Sequence, residues 1–152
     1  MERELDIIES NCIKYDNLGV EQICYIYFIS SKNEITKKQL EAAMTILVNR
    51  HPLLRMRVFS VNGKYHWKAM ENTQVNVRVD KSKDWQLAFS KALEERFETE
   101  NGPLWSLTLL PNVTSEFFED DFTWCHAALM FRFSHAIADG MSMLWHFHFG
   151  IL

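Results

Sequence analysis

The run FTWCHAALMFRFS, from Phe122 to Ser134, constrains the fold more than any other part of this chain. It is apolar almost throughout, so as an extended strand it needs cover on both faces. Such strands lie in the middle of a sheet with layers above and below it. The run ends in His135; Asp139 follows four positions later, with Gly140 directly behind it. An imidazole and a carboxylate set in apolar sequence cost several kcal/mol when buried, roughly the penalty of an unsatisfied polar group, unless they are paired or used. The end of this strand is therefore where chemistry is expected.

The remaining segments supply the layers. Gln22 to Ser30 (QICYIYFIS) is rich in β-branched and aromatic residues and stops at a polar cluster. It reads as a strand, and its apolar character on both faces places it inside a sheet. Thr36 and Gln39 make a capping box, after which Leu40, Ala43, Met44, Leu47 and Val48 recur at helical spacing until Pro52 ends the helix. His51, preceding proline, is pushed out of helical geometry. Leu54 to Ser60 and Tyr65 to Met70 flank Asn62-Gly63, a pair suited to the positive φ angles of a hairpin turn. Val75 to Val79 alternates like a short extended piece. Trp85, Ala88, Phe89, Ala92, Leu93, Arg96 and Phe97 keep helical spacing up to the breaker Asn101-Gly102-Pro103. Leu104 to Leu110 is a strand, and Pro111 to Asp121 is an acidic loop. Strands alternating with helices predict an α/β (α+β) two-layer sandwich, a mixed β-sheet with helices packed on it. No linker or repeat divides residues 1–152, so a single domain is expected.

Composition narrows the function. With 47% hydrophobic residues and a net charge of −4, the chain has an ample core and no basic surface to announce nucleic acid as a partner. Cys12, Cys24 and Cys125 form no CxxC pair and are odd in number, which argues for a reducing compartment. The opening MERELDIIESNC lacks the apolar run of a secretory leader, and nothing approaches the roughly 18 apolar residues of a membrane span. A cytoplasmic location is expected. His146 and His148 sit two apart, on different sides of a helix, without nearby ligands at metal spacing, so no metal site is expected. Cys125-His126 neighbours on a strand face opposite ways, and both read as core residues, as do Trp85, Phe89 and Phe97.

At the end of the long strand the chemistry takes shape. If the segment after His135 turns like a helix, Asp139 returns to the same side, and its carboxylate can fix the ring, its tautomer or a neighbouring loop. Gly140 removes a side chain where backbones, or backbone and ligand, come close. The arrangement suits a general base in a cleft.

His135-Ala136-Ile137-Ala138-Asp139-Gly140 is an HxxxDG sequence and resembles the signature of the CoA-dependent acyltransferase superfamily. That group includes chloramphenicol acetyltransferase, alcohol O-acetyltransferases, hydroxycinnamoyl-type acyltransferases, wax ester synthases and the condensation domains of nonribosomal peptide synthetases. Asn49-Arg50-His51-Pro52-Leu53-Leu54-Arg55, after a capped helix, looks like the RHPxLR passage that precedes the first hairpin there. The order of elements agrees from about Gln22 to Trp145. Ser134 stands where condensation domains and wax synthases usually carry a second histidine, so the sequence looks closer to the alcohol O-acetyltransferase group.

The resemblance implies a chloramphenicol acetyltransferase-like fold and transfer of an acyl group from a thioester to a hydroxyl or amine. His135 would be the base toward the acceptor, Asp139 a structural and orienting residue, and Gly140 a point of close packing beside a tunnel. Arg132 is a candidate ion-pair partner of Asp139. Acyl-CoA would be a co-substrate, with no tightly bound cofactor; the residues that would hold it are not legible. Family members consist of two similar halves, and this chain corresponds to the N-terminal one; the DFGWG-type motif of the second half is absent. Whether the half-domain is active alone is left open, as are the acceptor, the acyl length and CoA against a carrier-bound donor. Met141 to Leu152 is apolar on every side, which predicts an exposed surface near Trp145, Phe147 and Phe149, covered by a second copy or a partner chain. Two other readings stand beside the acyltransferase: a non-catalytic interaction module and a truncated fragment.

Overall fold

The computed structural model describes residues 2–20, 23–113 and 124–138. In chain order the elements are β1 (Glu2–Glu4), α1 (Ile7–Leu18), β2 (Ile23–Ser31), α2 (Lys37–Arg50), β3 (Met56–Val61), β4 (Lys64–Ala69), β5 (Arg78–Val79), α3 (Trp85–Glu94), β6 (Trp105–Pro111) and β7 (Cys125–Phe133). They form a four-stranded mixed sheet, β2-β7-β6-β5, and a three-stranded antiparallel sheet, β1-β4-β3. As its apolar sequence demands, β7 lies between two partners, antiparallel to both β2 and β6, while β5 joins β6 in parallel.

Alternation along β7 builds two cores. Ala127, Leu129, Phe131 and Phe133 face a large one, shared with Ile13 of α1, Met44 and Val48 of α2, and Val58 and Trp67 of the smaller sheet. Ala128 and Met130 face the other, closed by Ala88 and Ala92 of α3 and by Leu110. Trp85, Phe89 and Phe97 belong to this packing, as their spacing predicts.

Several boundaries differ from the sequence reading, each for a local reason. Among the described residues β2 is the outer strand of its sheet, not an interior one. Its apolar character on both faces comes from serving both cores: Tyr25, Tyr27 and Ile29 on one side, Cys24, Ile26 and Phe28 on the other. Helix α3 stops at Glu94, short of Phe97. Glu95 turns extended (φ −72°, ψ 136°) so that its carbonyl and carboxylate both meet Arg132. The first hairpin strand begins at Met56 because Pro52–Arg55 winds into a 3₁₀ turn. Pairing in the Val75 to Val79 piece is confined to Arg78 and Val79, although Val77 is fully buried. Ala43 of the predicted stripe lies exposed.

The hairpin turn uses Asn62 (φ 50°) and Gly63 (φ 78°), as its sequence requires. Gly102 is under tighter constraint: at φ +63°, an added Cβ would stand 2.8 Å from the Met70 sulfur and 3.3 Å from Arg57 Cβ. Gly102→Ala is therefore expected to lower stability by more than about 1 kcal/mol in thermal or urea unfolding. Gly63→Ala, with no atom within 4 Å, carries the left-handed strain alone.

Candidate functional site

The large sheet ends where His135 begins. The Ser134 amide donates to Leu104 O at 2.9 Å, extending the pairing of β7 with the β6 side by one residue. The chain then turns sharply, with the Ile137 amide donating to Ser134 O at 3.1 Å. Ser134 is fully buried and Ile137 nearly so, whereas His135 between them is exposed. The turn thus anchors on its flanks and delivers the imidazole to solvent, the position a base needs to meet a diffusing acceptor.

Behind the turn lies a carboxyl that no sequence motif marks. Asp16, near the end of α1, is 1% exposed, and Ser134 Oγ–H donates to its Oδ2. The same Ser134 oxygen accepts the Ala136 amide at 3.1 Å. Burial pushes the Asp16 carboxyl up to about 6, although the Ser134 hydrogen bond and the charges of His135 and Arg132 act the other way. Helix α1 exists because Asp6 and Glu9 cap its start reciprocally and Gly19 (φ 75°) closes its end. Both capping signals stand in the sequence and could have revealed the helix; Asp16 itself carries no mark beyond its place in the last turn.

Arg132, two residues before Ser134, binds the segment that follows α3. It is 3% exposed, pairs with Glu95 Oε2 at 2.9 Å, and lies 4.8 Å from the centre of the Phe97 ring. Arg78 reaches the same Glu95 oxygen at 2.6 Å. Burial draws the Arg132 guanidinium down from its ordinary range, and the Glu95 charge restores part of it. A cleft of about 330 Å³ opens beside these groups, lined by Arg78, Arg96, Phe97, Trp105 and Arg132 among others.

Asp139 and Gly140 lie outside the described residues, as do His146, His148, Trp145, Phe147 and Phe149. Cys125 and His126 are half-buried at the start of β7, not core residues, and His126 Nδ1 is 2.9 Å from Ser30 Oγ across the strand pair. Strand starts lie nearer the sheet rim, which is why their burial falls short of the interior positions that follow. The Arg55 carbonyl accepts the Met70 amide at 2.9 Å, which ties the 3₁₀ turn to the end of β4. No described helix is long and apolar enough to cross a membrane. Among the described residues, no three His, Cys, Asp or Glu side chains gather at metal-binding spacing.

No protein-family model and no curated protein matches the sequence. Solved structures match its shape. The starter condensation domain of rhizomide synthetase RzmA superposes with a TM-score of 0.72 at 14% identity, over 95% of this chain and 36% of that one. The fold is that of part of a condensation domain. A four-domain nonribosomal peptide synthetase bound to AMP and glycine shows the same condensation-domain likeness, with a TM-score of 0.69, 13% identity, 97% of this chain and 11% of the other. The tallysomycin biosynthesis protein TlmII gives 0.64 at 14% identity, over 99% and 39%. A doubly substituted RzmA starter domain, in complex with C8-CoA and Leu-SNAC, gives 0.65 at 14% identity, over 89% and 31%. This chain spans about a third of the RzmA condensation domain. The fold expected from HxxxDG and RHPLLR is the one found.

Proposed function

We propose that this chain carries the general-base portion of an acyltransferase, moving an acyl group from acyl-CoA or a carrier-bound thioester to a hydroxyl or amine. His135 takes the acceptor proton as the nucleophile attacks the thioester carbonyl. The thiolate leaves and recovers a proton from the imidazolium or solvent, so the base returns to its starting state. Asp139 orients the following segment, and Gly140 permits close approach of backbone and ligand. The observation that carries the proposal is the exposed His135 at the end of the central strand of a condensation-domain fold. A neighbour solved with C8-CoA supports a CoA thioester as donor and co-substrate. Cys12, Cys24 and Cys125 form no CxxC pair and are odd in number, which supports a reducing, cytoplasmic setting. A second copy or a partner chain is proposed to complete the acyl tunnel.

Thioester consumption with amine and alcohol acceptors tests this directly. His135→Ala is expected to lower turnover by roughly 10²–10⁴-fold, the usual range for a lost general base. Turnover that survives the substitution removes His135 from the base role. The interaction-module reading rests on the expected apolar C-terminal surface, and among the described residues Ile7, Ile8, Leu18 and Ile46, all more than half exposed, add to it. Light scattering separates it: a clean monomer that binds no apolar dye leaves that reading without support.

A further inference from the structure

We propose that Asp16, acting through Ser134, is the positioning residue for His135. The proposal rests on the base role of His135 and adds a member from the other end of the chain, well over a hundred residues away in sequence. A carboxyl 1% exposed is rare unless something holds it there. Here the Ser134 hydroxyl, itself fully buried, donates to Asp16 Oδ2 and accepts the Ala136 amide on its oxygen. Those bonds fasten both flanks of His135: the residue before it through a side chain, the residue after it through its amide. The link depends on serine at a position where condensation domains usually place a second histidine. Serine is short enough to let an α1 carboxyl reach the turn, and its lone hydroxyl can serve both partners at once.

The charge is positioned as well. The groups acting on Asp16 from β7 and the turn are His135 and Arg132, while Arg96 lies against the end of α1, 3.2 Å from where a Gly19 Cβ would be. When the imidazole takes a proton, the Asp16 carboxylate behind it offsets the new charge; when it releases the proton, that stabilisation lapses. Asp16 therefore acts on the base through position and charge, without touching the substrate.

The test is a carboxyl titration of the intact chain by carbon NMR, with the Asp16 signal assigned by its loss in Asp16→Asn. Its midpoint is expected near 6 in the unsubstituted chain. It should rise in Ser134→Ala, which loses the donated hydrogen bond, and in His135→Gln, which loses the imidazolium. An Asp16 midpoint that moves in neither variant overturns the proposal, and a purely space-filling Asp16 would give that result for His135→Gln. In thioester turnover, Asp16→Asn is expected to lower kcat by roughly tenfold to a hundredfold with KM nearly unchanged, the penalty of a misplaced group. An unchanged kcat overturns it equally. If the unsubstituted chain turns over no thioester, the acyl-transfer reading falls and the titration still decides the positioning claim.

Discussion

Phe133→Ala is expected to remove about 3–5 kcal/mol of stability, the largest loss from any single side chain near the site. Phe133 is fully buried, pairs with Ile23 on one side and Trp105 on the other, and stacks on Phe131 with ring centres 6.1 Å apart and planes 2° apart. Truncating it leaves a cavity that three strands cannot close, because each is pinned by its own ladder. Domains of this size have roughly 5–15 kcal/mol in hand, so the variant should sit near the edge of folding at 37 °C. Urea unfolding will show this as a large fall in midpoint with an unchanged slope. Val61→Ala at the 43% exposed hairpin end is the control, expected within about 0.5 kcal/mol of the parent. A Phe133→Ala loss no greater than that of Val61→Ala would mean the sheet is not organised around β7.

The elements legible in the sequence were those whose signals are local. The Thr36–Gln39 capping box, the Asn62-Gly63 turn and the unbroken apolar run of β7 each encode their geometry within a few residues, and all three are found. What the sequence hid depends on partners far along the chain. Glu95 fits a helix by pattern, but Arg132 draws it out of one. The strand β2 looks interior because it packs on two cores, yet a sheet edge covered on both faces has the same apolar pattern as a sheet centre. β1 is only three residues of charged sequence, ERE; it pairs with β4 through its backbone and the Lys64–Glu4 ion pair, while Arg3 ties it to Glu9 of α1.

The same division runs through the site. His135 could be read from its setting, because a polar residue after a buried strand has few places to go but the rim. Asp16 could not, because an aspartate in the last turn of an amphipathic helix is by default a solvated one. Its burial follows only from α1 docking against the end of β7, a contact between distant segments that no periodicity encodes.

That buried carboxyl carries the second large effect. Its folded value, about 6, lies above the ordinary 3.8. The folded chain therefore holds this proton more tightly than the unfolded chain does. The stabilisation is complete below about 3.8, falls as pH rises, and is gone above about 6. With about 1.4 kcal/mol for each pH unit of difference, the decline amounts to about 3 kcal/mol between acid and neutral conditions. Asp16→Asn keeps the shape and an acceptor oxygen for Ser134 while removing the ionisation. The variant should match the parent near pH 3.5 and exceed its stability by up to about 3 kcal/mol at about pH 7.5. Urea titrations of both proteins at the two pH values measure the difference directly. A gap equal at both would show that Asp16 ionises freely in the folded state. If the Asp16→Asn variant is both more stable at neutral pH and slower in thioester turnover, a charged group is being kept buried against the stability of the fold. The imidazole next to its hydrogen-bond partner is then the group that benefits from it.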